Sequence, residues 1–431
     1  MTGPADARPE AEASRALRVA MVLYDDITFD SRVQREANSL ARAGHAVTIF
    51  CLEGSHATAP MLESRVHLEV VKVGGRPGSP DAPSPLVASG GLRRLAARVA
   101  FLVAYGRNLR SWGRAIARTP MAFDAWHAHD FTGLVAASMA RPARAVLVYD
   151  MHDLFLDTGA GTRLPGPVRR LLRWYERRLA RRADLLVTVN QGLAAWAGRH
   201  LHPPLVAVVH NCVPLWGAPE PRPSLIRDAL RIGPAEPVVL YHGALTADRG
   251  LDTLIEAILE PGLEHAHLVL LGFGPDRERL RALAGEPRFE GRVHLLDAVS
   301  PADLMPWVAS ADVGVMPNQP RTLNERLSTP NKLFESIAAG LPVVSSDFPD
   351  RRRIILDDPL GPLGAVCDPT DPAALARAIR SIVDLDGDAR DALRRRCSAA
   401  ARERWNWETE AQSLLAGYRR LAVGRTTGGQ A

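Results

Sequence analysis

The chain has little cysteine. Its four residues, Cys51, Cys212, Cys367 and Cys397, are scattered over 431 positions without the short spacings of a metal or redox site. A disulfide framework is excluded, a reducing cytoplasm is the expected compartment, and packing is the expected role of all four. Long apolar runs are missing too. The longest, ARVAFLVAY at residues 97–105, falls far short of the roughly 20 residues that cross a bilayer, so no transmembrane helix is expected. No G-x-x-x-x-G-K-[ST] is present, which argues against ATP hydrolysis on a phosphate loop. The net charge of +5 is modest and no nucleic-acid motif accompanies it, so nucleic acid is not an expected partner, whereas an anionic ligand or membrane surface fits. The acidic run DLDGD at residues 384–388 lacks the bidentate glutamate of a calcium loop and reads as a solvated helix end.

What is present is the composition of a soluble globular protein, with 46% hydrophobic and 23% charged residues, in a chain too long for one ordinary core. Strands alternate with helices. LRVAMVLYDD (17–26) reads as a buried strand; S-x-x-Q at Ser31 reads as a capping box opening a helix with Val33, Ala37, Leu40 and Ala41 inward and Gly44 as its end; AVTIF follows as a strand. FDAWHAH, AVLVYD, ADLLVTVN and VAVVHNCV continue this series. After the proline-rich PLWGAPEPRPS (214–224) a second series runs through PVVLYHG, HLVLLGFG, RVHLLD, ADVGVMP and PVVSS. The expected class is α/β, with two doubly wound Rossmann-like domains facing a cleft. The expected division is a disordered tail over 1–16, a first domain over 17–212, a linker over 213–236, a second domain over 237–405, and a C-terminal helix and tail over 406–431. Residues 74–85 read as a mobile loop, residues 424–431 as a tail, and 391–421 as a helical region packing back across the domains.

Ligands of open α/β sheets bind at the carboxyl ends of strands, so charged residues there are the candidates. In STPNKLFESIAAGLPVVSSD (328–347), Thr329 and Pro330 suit a helix start, and Leu333, Phe334, Ile337 and Ala338 form its apolar stripe. Lys332 then faces the positive end of the helix dipole. A bound phosphate would remove that conflict, and Glu335, one turn on, could accept ribose hydroxyls. Two solvated surface charges explain the same window, and it alone does not choose. In YHGALTADRG, Gly243 allows close backbone approach and Arg249 offers a second cation, although a surface arginine after an ordinary turn reads equally simply. Gly272, in LLGFGP, lacks the third glycine of a dinucleotide fingerprint. His152 and Asp153 follow the unbroken strand AVLVYD, where a histidine could hydrogen-bond a transferred group or help a proton move; His127 and His129 in WHAHD are its rivals. Asp30 and Arg32 stand at a helix start by the same cleft, Asp30 as a plausible N-cap and Arg32 as a repeat of the Lys332 anomaly.

Taken together, DSRVQREA with LARAGHAVT (30–48), RRLARRADLLVTVN (177–190) and PNKLFESIAAGLPVV resemble the retaining GT-B glycosyltransferases of family 4, the glycosyl transferases group 1, over about residues 17–421. The resemblance implies an acceptor-binding first domain, touching acceptor near Asp30 and Arg32, and a second domain binding a nucleotide-diphosphate sugar as co-substrate. It places Glu335 on the ribose, Arg249 on the diphosphate beside Gly243 and Gly272, Lys332 with the amides around Asn331 and Leu333 by phosphate or sugar, and His152 with Asp153 at the transferred sugar. It also implies no cofactor and no metal, retention by front-face attack, and a glycan, lipid-linked or small-molecule acceptor in cell-envelope or exopolysaccharide synthesis. Two positions depart from the pattern. Leu327 stands where the family has a glutamate, with Glu325 as a substitute sugar contact, and Ala244 stands where an arginine is usual. A nucleotide-sugar epimerase of the same fold and a non-catalytic nucleotide-sugar binder are the alternatives. The arginine-rich stretch 162–186 is either a solvated helix face or a peripheral contact with the inner face of the cell membrane.

Overall fold

β1 (Arg18–Val22) shows why this sequence makes buried strands. Val19, Ala20, Met21 and Val22 have no exposed surface, with Ala20 and Val22 in one core and Val19 and Met21 in another, so both faces of the sheet are covered. The computed structural model describes residues 16–54, 60–72 and 91–427. With β2 (Ala46–Cys51), β3 (Val66–Val70), β4 (Ala125–His129), β5 (Val146–Met151), β6 (Leu185–Thr188) and β7 (Val206–Val208), β1 forms a parallel sheet of order β3-β2-β1-β4-β5-β6-β7. The second sheet contains β8 (Val238–His242), β9 (His267–Leu271), β10 (Val293–Leu296), β11 (Val313–Met316), β12 (Val343–Ser346) and β13 (Gly364–Cys367), in the order β10-β9-β8-β11-β12-β13. Both are doubly wound, as expected. Their strand order reverses between β1 and β4 and between β8 and β11, which places a ligand crevice at each of those carboxyl ends.

The two crevices face each other. Leu154 and Asn190 of the first domain bond to Asn324 and to the Leu327 carbonyl of the second. The chain crosses between domains twice, side by side: the Trp407 amide donates to the Val213 carbonyl at 2.9 Å and the His210 amide to the Glu410 carboxylate at 2.7 Å. The expected single helical region near the end is two helices, Gly387–Glu403 and Trp407–Thr427. The second seals the first domain, burying Trp407, Leu414 and Tyr418 against the β1 and β2 face. It also takes in positions 424–427 of the expected tail. Among the described residues no helix is long and apolar enough to cross a membrane, and all four cysteines are buried and unpaired.

Local details correct the sequence reading. Asp30 caps the Ser31–Arg42 helix, one of the two readings the sequence offered, and accepts the Val33 amide at 3.0 Å, while the Ser31 capping box does not form and Gln34 turns back to the carbonyls of Ile27 and Thr28. Pro330 precedes the Asn331–Ala338 helix as its cap residue, and Thr329 instead meets Asn190 across the cleft. The expected linker contains the helix Leu225–Leu230. The loop expected at 74–85 lies outside the described residues, as do 1–15 and 428–431 of the expected tails.

Candidate active site

The second domain's wall is built where backbone touches backbone. A Cβ on Gly272 would lie 1.9 Å from the Gly243 carbonyl oxygen, so the ends of β8 and β9 close on each other only without a side chain there. Gly243 has φ +112° and faces Lys332, whose Nζ would stand 3.3 Å from a Cβ at that position. Lys332 lies over the Tyr241 ring, Nζ 3.8 Å from its centroid. Next to it the Glu335 carboxylate is bonded to His242 Nε2 at 2.9 Å. Burial pushes that carboxyl up, but the His242 hydrogen bond and the charges of His242, Lys332 and Arg35 outweigh it and hold it below its ordinary value. Glu335 thus stays an ionised acceptor at 18% side-chain exposure.

Three cations stand together here. Among the described residues Arg249 has its Nε buried without a hydrogen-bond partner, and the nearest carboxylate oxygen, of Asp248, is 3.8 Å away. Arg351, which the sequence reading did not single out, is fully buried; it donates to the Ser328 carbonyl at 3.0 Å and to Asn318 at 3.2 Å, and its guanidinium stacks on Phe348. Burial and the charge of Arg249 push Arg351 down to about 9. Burial first and Arg249 second, against the pull of Glu335, push Lys332 down to about 7. The chain has only two lysines, Lys72 and Lys332, and otherwise uses arginine for positive charge. A lysine is the cation whose proton a nearby ligand charge can restore. Mutual repulsion among three cations costs stability unless an anion joins them.

The opposite wall carries His152. Its Nε2 is 2.7 Å from Asp150 Oδ2 and its Nδ1 3.6 Å from Asp130 Oδ2, and its amide donates to Asp130 Oδ1. Asp130 sits in the left-handed region at φ 55°, a strained place for a residue with a side chain. Burial would push the imidazole down, but Asp130, Asp150 and Asp30 raise it well above its ordinary value. That shift favours the hydrogen-bond-donating form of His152. Burial raises the Asp153 carboxyl above its ordinary value, opposed in part by the Asn324 hydrogen bond, the charge of His152 and, across the cleft, that of Arg249. Asp30 remains at the cleft edge, engaged as a helix cap.

Arg32 differs from expectation. It does not open to the cleft but lies 2% exposed beneath it, donating from two nitrogens to Asp150 at 2.9 and 3.0 Å, to the Val209 carbonyl at 2.7 Å, and pairing with Glu36 at 3.0 Å. Its anomaly at a first turn is resolved by protein carboxylates, not by an acceptor. His127 and His129 have no exposed surface, so neither reaches a ligand; His127 joins Glu36 to the Tyr418 hydroxyl. Glu36, His127, His129 and Asp150 bring four ligand-type atoms within 4.8 Å of one another, but the Arg32 guanidinium already supplies the positive charge between both carboxylates. Burial, only partly offset by Arg32, lifts Glu36 above the usual carboxylate range.

Other expected contacts are also spoken for. Glu325 closes a capping box with Thr322 rather than extending into the cleft. The Leu333 side chain is core, and its amide donates to the Pro330 carbonyl. Asn331 is exposed and accepts from Asn211 at 2.7 Å. The sequence reading missed His242, Arg351, Asp150 and Asn324. His242 directly precedes a singled-out glycine and Asp150 stands two residues before His152, which it holds, but nothing local marks Arg351 and Asn324, whose hydrogen-bond partners are distant in the chain.

The profile described as glycosyl transferases group 1 matches residues 236–384, and that of the glycosyl transferase 4-like domain matches residues 30–212. A glycogen synthase of Mycobacterium tuberculosis is 28% identical over 313 residues, 68% of this chain and 68% of the relative. A phosphatidyl-myo-inositol mannosyltransferase of Mycobacterium leprae is 32% identical over 193 residues, 43% of this chain and 47% of that one. Among solved structures, sucrose-phosphate synthase from Thermosynechococcus elongatus shares the fold with a TM-score of 0.66 at 17% identity, covering 94% of this chain and 100% of that one.

Proposed function

The chain belongs to the glycosyl transferases group 1 family and is a glycosyltransferase of GT-B fold, and from that premise we propose that it moves a sugar from a nucleotide-diphosphate sugar to a glycan, lipid-linked or small-molecule acceptor, with retention and without a metal ion. One observation carries this reading: Arg249, Lys332 and Arg351 are gathered at glycine-lined strand ends beside the ionised Glu335. That arrangement suits a diphosphate next to a ribose.

In the transfer, the anomeric carbon–oxygen bond to the diphosphate breaks and a bond to an acceptor hydroxyl forms on the same face. The acceptor proton passes to the departing phosphate oxygen. Arg249 and Lys332 meet the charge that builds on the leaving group, so the chain itself supplies the stabilisation a metal would otherwise give. The sugar becomes oxocarbenium-like, and His152 holds it through a hydrogen bond to one of its hydroxyls without needing to take a proton.

The lipid-linked acceptor has its own support. On the Gly166–Ala180 helix Leu171 and Trp174 are 61% and 58% exposed, with Arg170 and Arg178 on the same face and Arg181 and Arg182 just beyond. The mannosyltransferase relative is named for a phosphatidyl acceptor. This face would rest on an anionic leaflet from the cytoplasmic side, a setting for cell-envelope synthesis. At about 1 kcal/mol per arginine near the surface, Arg178→Glu with Arg181→Glu should abolish co-sedimentation with phosphatidylserine vesicles. Equal sedimentation of variant and parent would remove the membrane contact from the proposal.

Incubation with radiolabelled nucleotide sugars tests the activity. Transfer or slow hydrolysis supports it; interconversion of the free nucleotide sugars points to an epimerase, and binding without turnover to a binder. In calorimetric titration, Glu335→Ala and Arg249→Ala should each weaken donor binding about tenfold to a hundredfold, the range for lost hydrogen bonds to a charged group. The wild type should take up a proton on binding, because the diphosphate recharges Lys332. Affinity is then highest below pH 7 and falls as pH rises through the free lysine's value. Unchanged titrations in both variants would remove the donor site assigned here.

A further inference from the structure

Asn324 ties the two walls together. It lies in the short helix Leu323–Leu327, between β11 and the Asn331–Ala338 helix, and is 7% exposed. Its Oδ1 accepts the Leu154 amide at 2.8 Å and its Nδ2 donates to Asp153 Oδ1 at 2.9 Å. One side chain thus uses an acceptor and a donor on adjacent residues directly after His152. Only an amide serves both, since a carboxylate would set two anions face to face and an alanine would leave both groups open.

The segment that presents Asn324 is held from both sides. Its helix is closed by the Thr322–Glu325 capping box, and its end is fixed by Arg351 on the Ser328 carbonyl. From the first domain, Asn190 donates to the Leu327 carbonyl at 2.6 Å. The same segment leads directly into the helix carrying Lys332 and Glu335. Movement of the His152 loop relative to the donor helix must therefore break the Asn324 contacts. We propose that Asn324 is a positioning residue that sets the His152–Leu154 loop in register with the donor helix, so that His152 meets the transferred sugar only when the cleft is closed. The proposal rests on the glycosyl-transfer reading for its kinetic consequence and on geometry alone for the contact.

Asn324→Asp tests it by placing a carboxylate against Asp153, which also faces His152, Asp130 and Arg249. Turnover should fall at least tenfold at pH 8 while donor affinity stays within about twofold, and should recover as pH falls, because a proton shared by the two carboxyls restores the donor–acceptor pair. Asn324→Ala, free of repulsion, should show the same split without the pH recovery and should keep a cooperative melt. In Asn324→Ala, which removes its acceptor, the Leu154 amide should exchange with deuterium at least tenfold faster. Wild-type turnover in Asn324→Asp at pH 8, or donor affinity falling in step with turnover, would overturn the proposal. So would unchanged Leu154 exchange in Asn324→Ala, which decides the contact even if wild type turns over no donor, an outcome that would count against the glycosyl-transfer reading separately.

Discussion

Arg32→Leu is expected to cost about 3–5 kcal/mol of unfolding free energy, the penalty for breaking a buried ion pair and leaving its partner charge behind. Arg32 is 2% exposed, and Asp150 and Glu36, which it holds at 2.9 and 3.0 Å, have no exposed surface. Leucine fills part of the space but does not neutralise Asp150, and Glu36 and the Val209 carbonyl lose their donor as well. Urea denaturation reads the loss directly. Its pH dependence identifies the cause. Burial pushes Asp150 up, but Arg32, His152 and the hydrogen bonds from His129 and His152 more than reverse this and hold it well below its ordinary value. A depressed carboxyl contributes stability that is present above its unfolded value of about 3.9 and disappears as pH falls through the folded one. The gap between wild type and Arg32→Leu should therefore be widest near neutrality and narrow below pH 4. A gap that stays constant down to pH 3 would mean that lost packing, not charge, is responsible.

His152→Ala should leave donor binding within about twofold and lower transfer by about a hundredfold, the effect of losing a hydrogen bond that positions the transferred sugar. The side chain is 16% exposed at the cleft and carries its charge because Asp130 and Asp150 flank it. Its folded value is raised, so the imidazolium and the stability it contributes are fully present below about pH 6.5 and are lost only as pH rises through the higher folded value. Transfer should therefore show no acid limb from this residue between pH 5.5 and 7, and should decline on the alkaline side. In Asp150→Asn that decline should move toward lower pH. A wild-type rate that rises through pH 6.5 would assign His152 the role of a base and contradict this account.

Much of the fold was legible because burial leaves a local record. A strand covered on both faces must be apolar at nearly every position, which is how VAMV, VLVY and VVLY announced themselves. Helix ends were less legible: Ser31 and Thr329 both have capping side chains, yet Asp30 and Pro330 take the cap positions, because neighbouring loops dictate where each chain enters. In the site, Lys332 stood out as a charge placed against a dipole, and the glycines as breaks after strands. Arg32 gave the same local signal as Lys332, but the explanation was different. One cation lacks a carboxylate to neutralise it except Glu335 one turn away, while the other is saturated by Asp150 and Glu36.

By itself, then, the sequence determined the alternation of strands and helices, the two parallel sheets and the location of chemistry at strand ends, since these follow from periodicity and burial within a few dozen residues. Tertiary structure alone decided which charges are satisfied. Arg32 meets Asp150 across 118 positions, His127 meets Tyr418 across 291, and Asp153 meets Asn324 across 171. The physical reason is that a side chain's partner depends on distance in space, and burial makes that partner decide its charge, while chain order records neither.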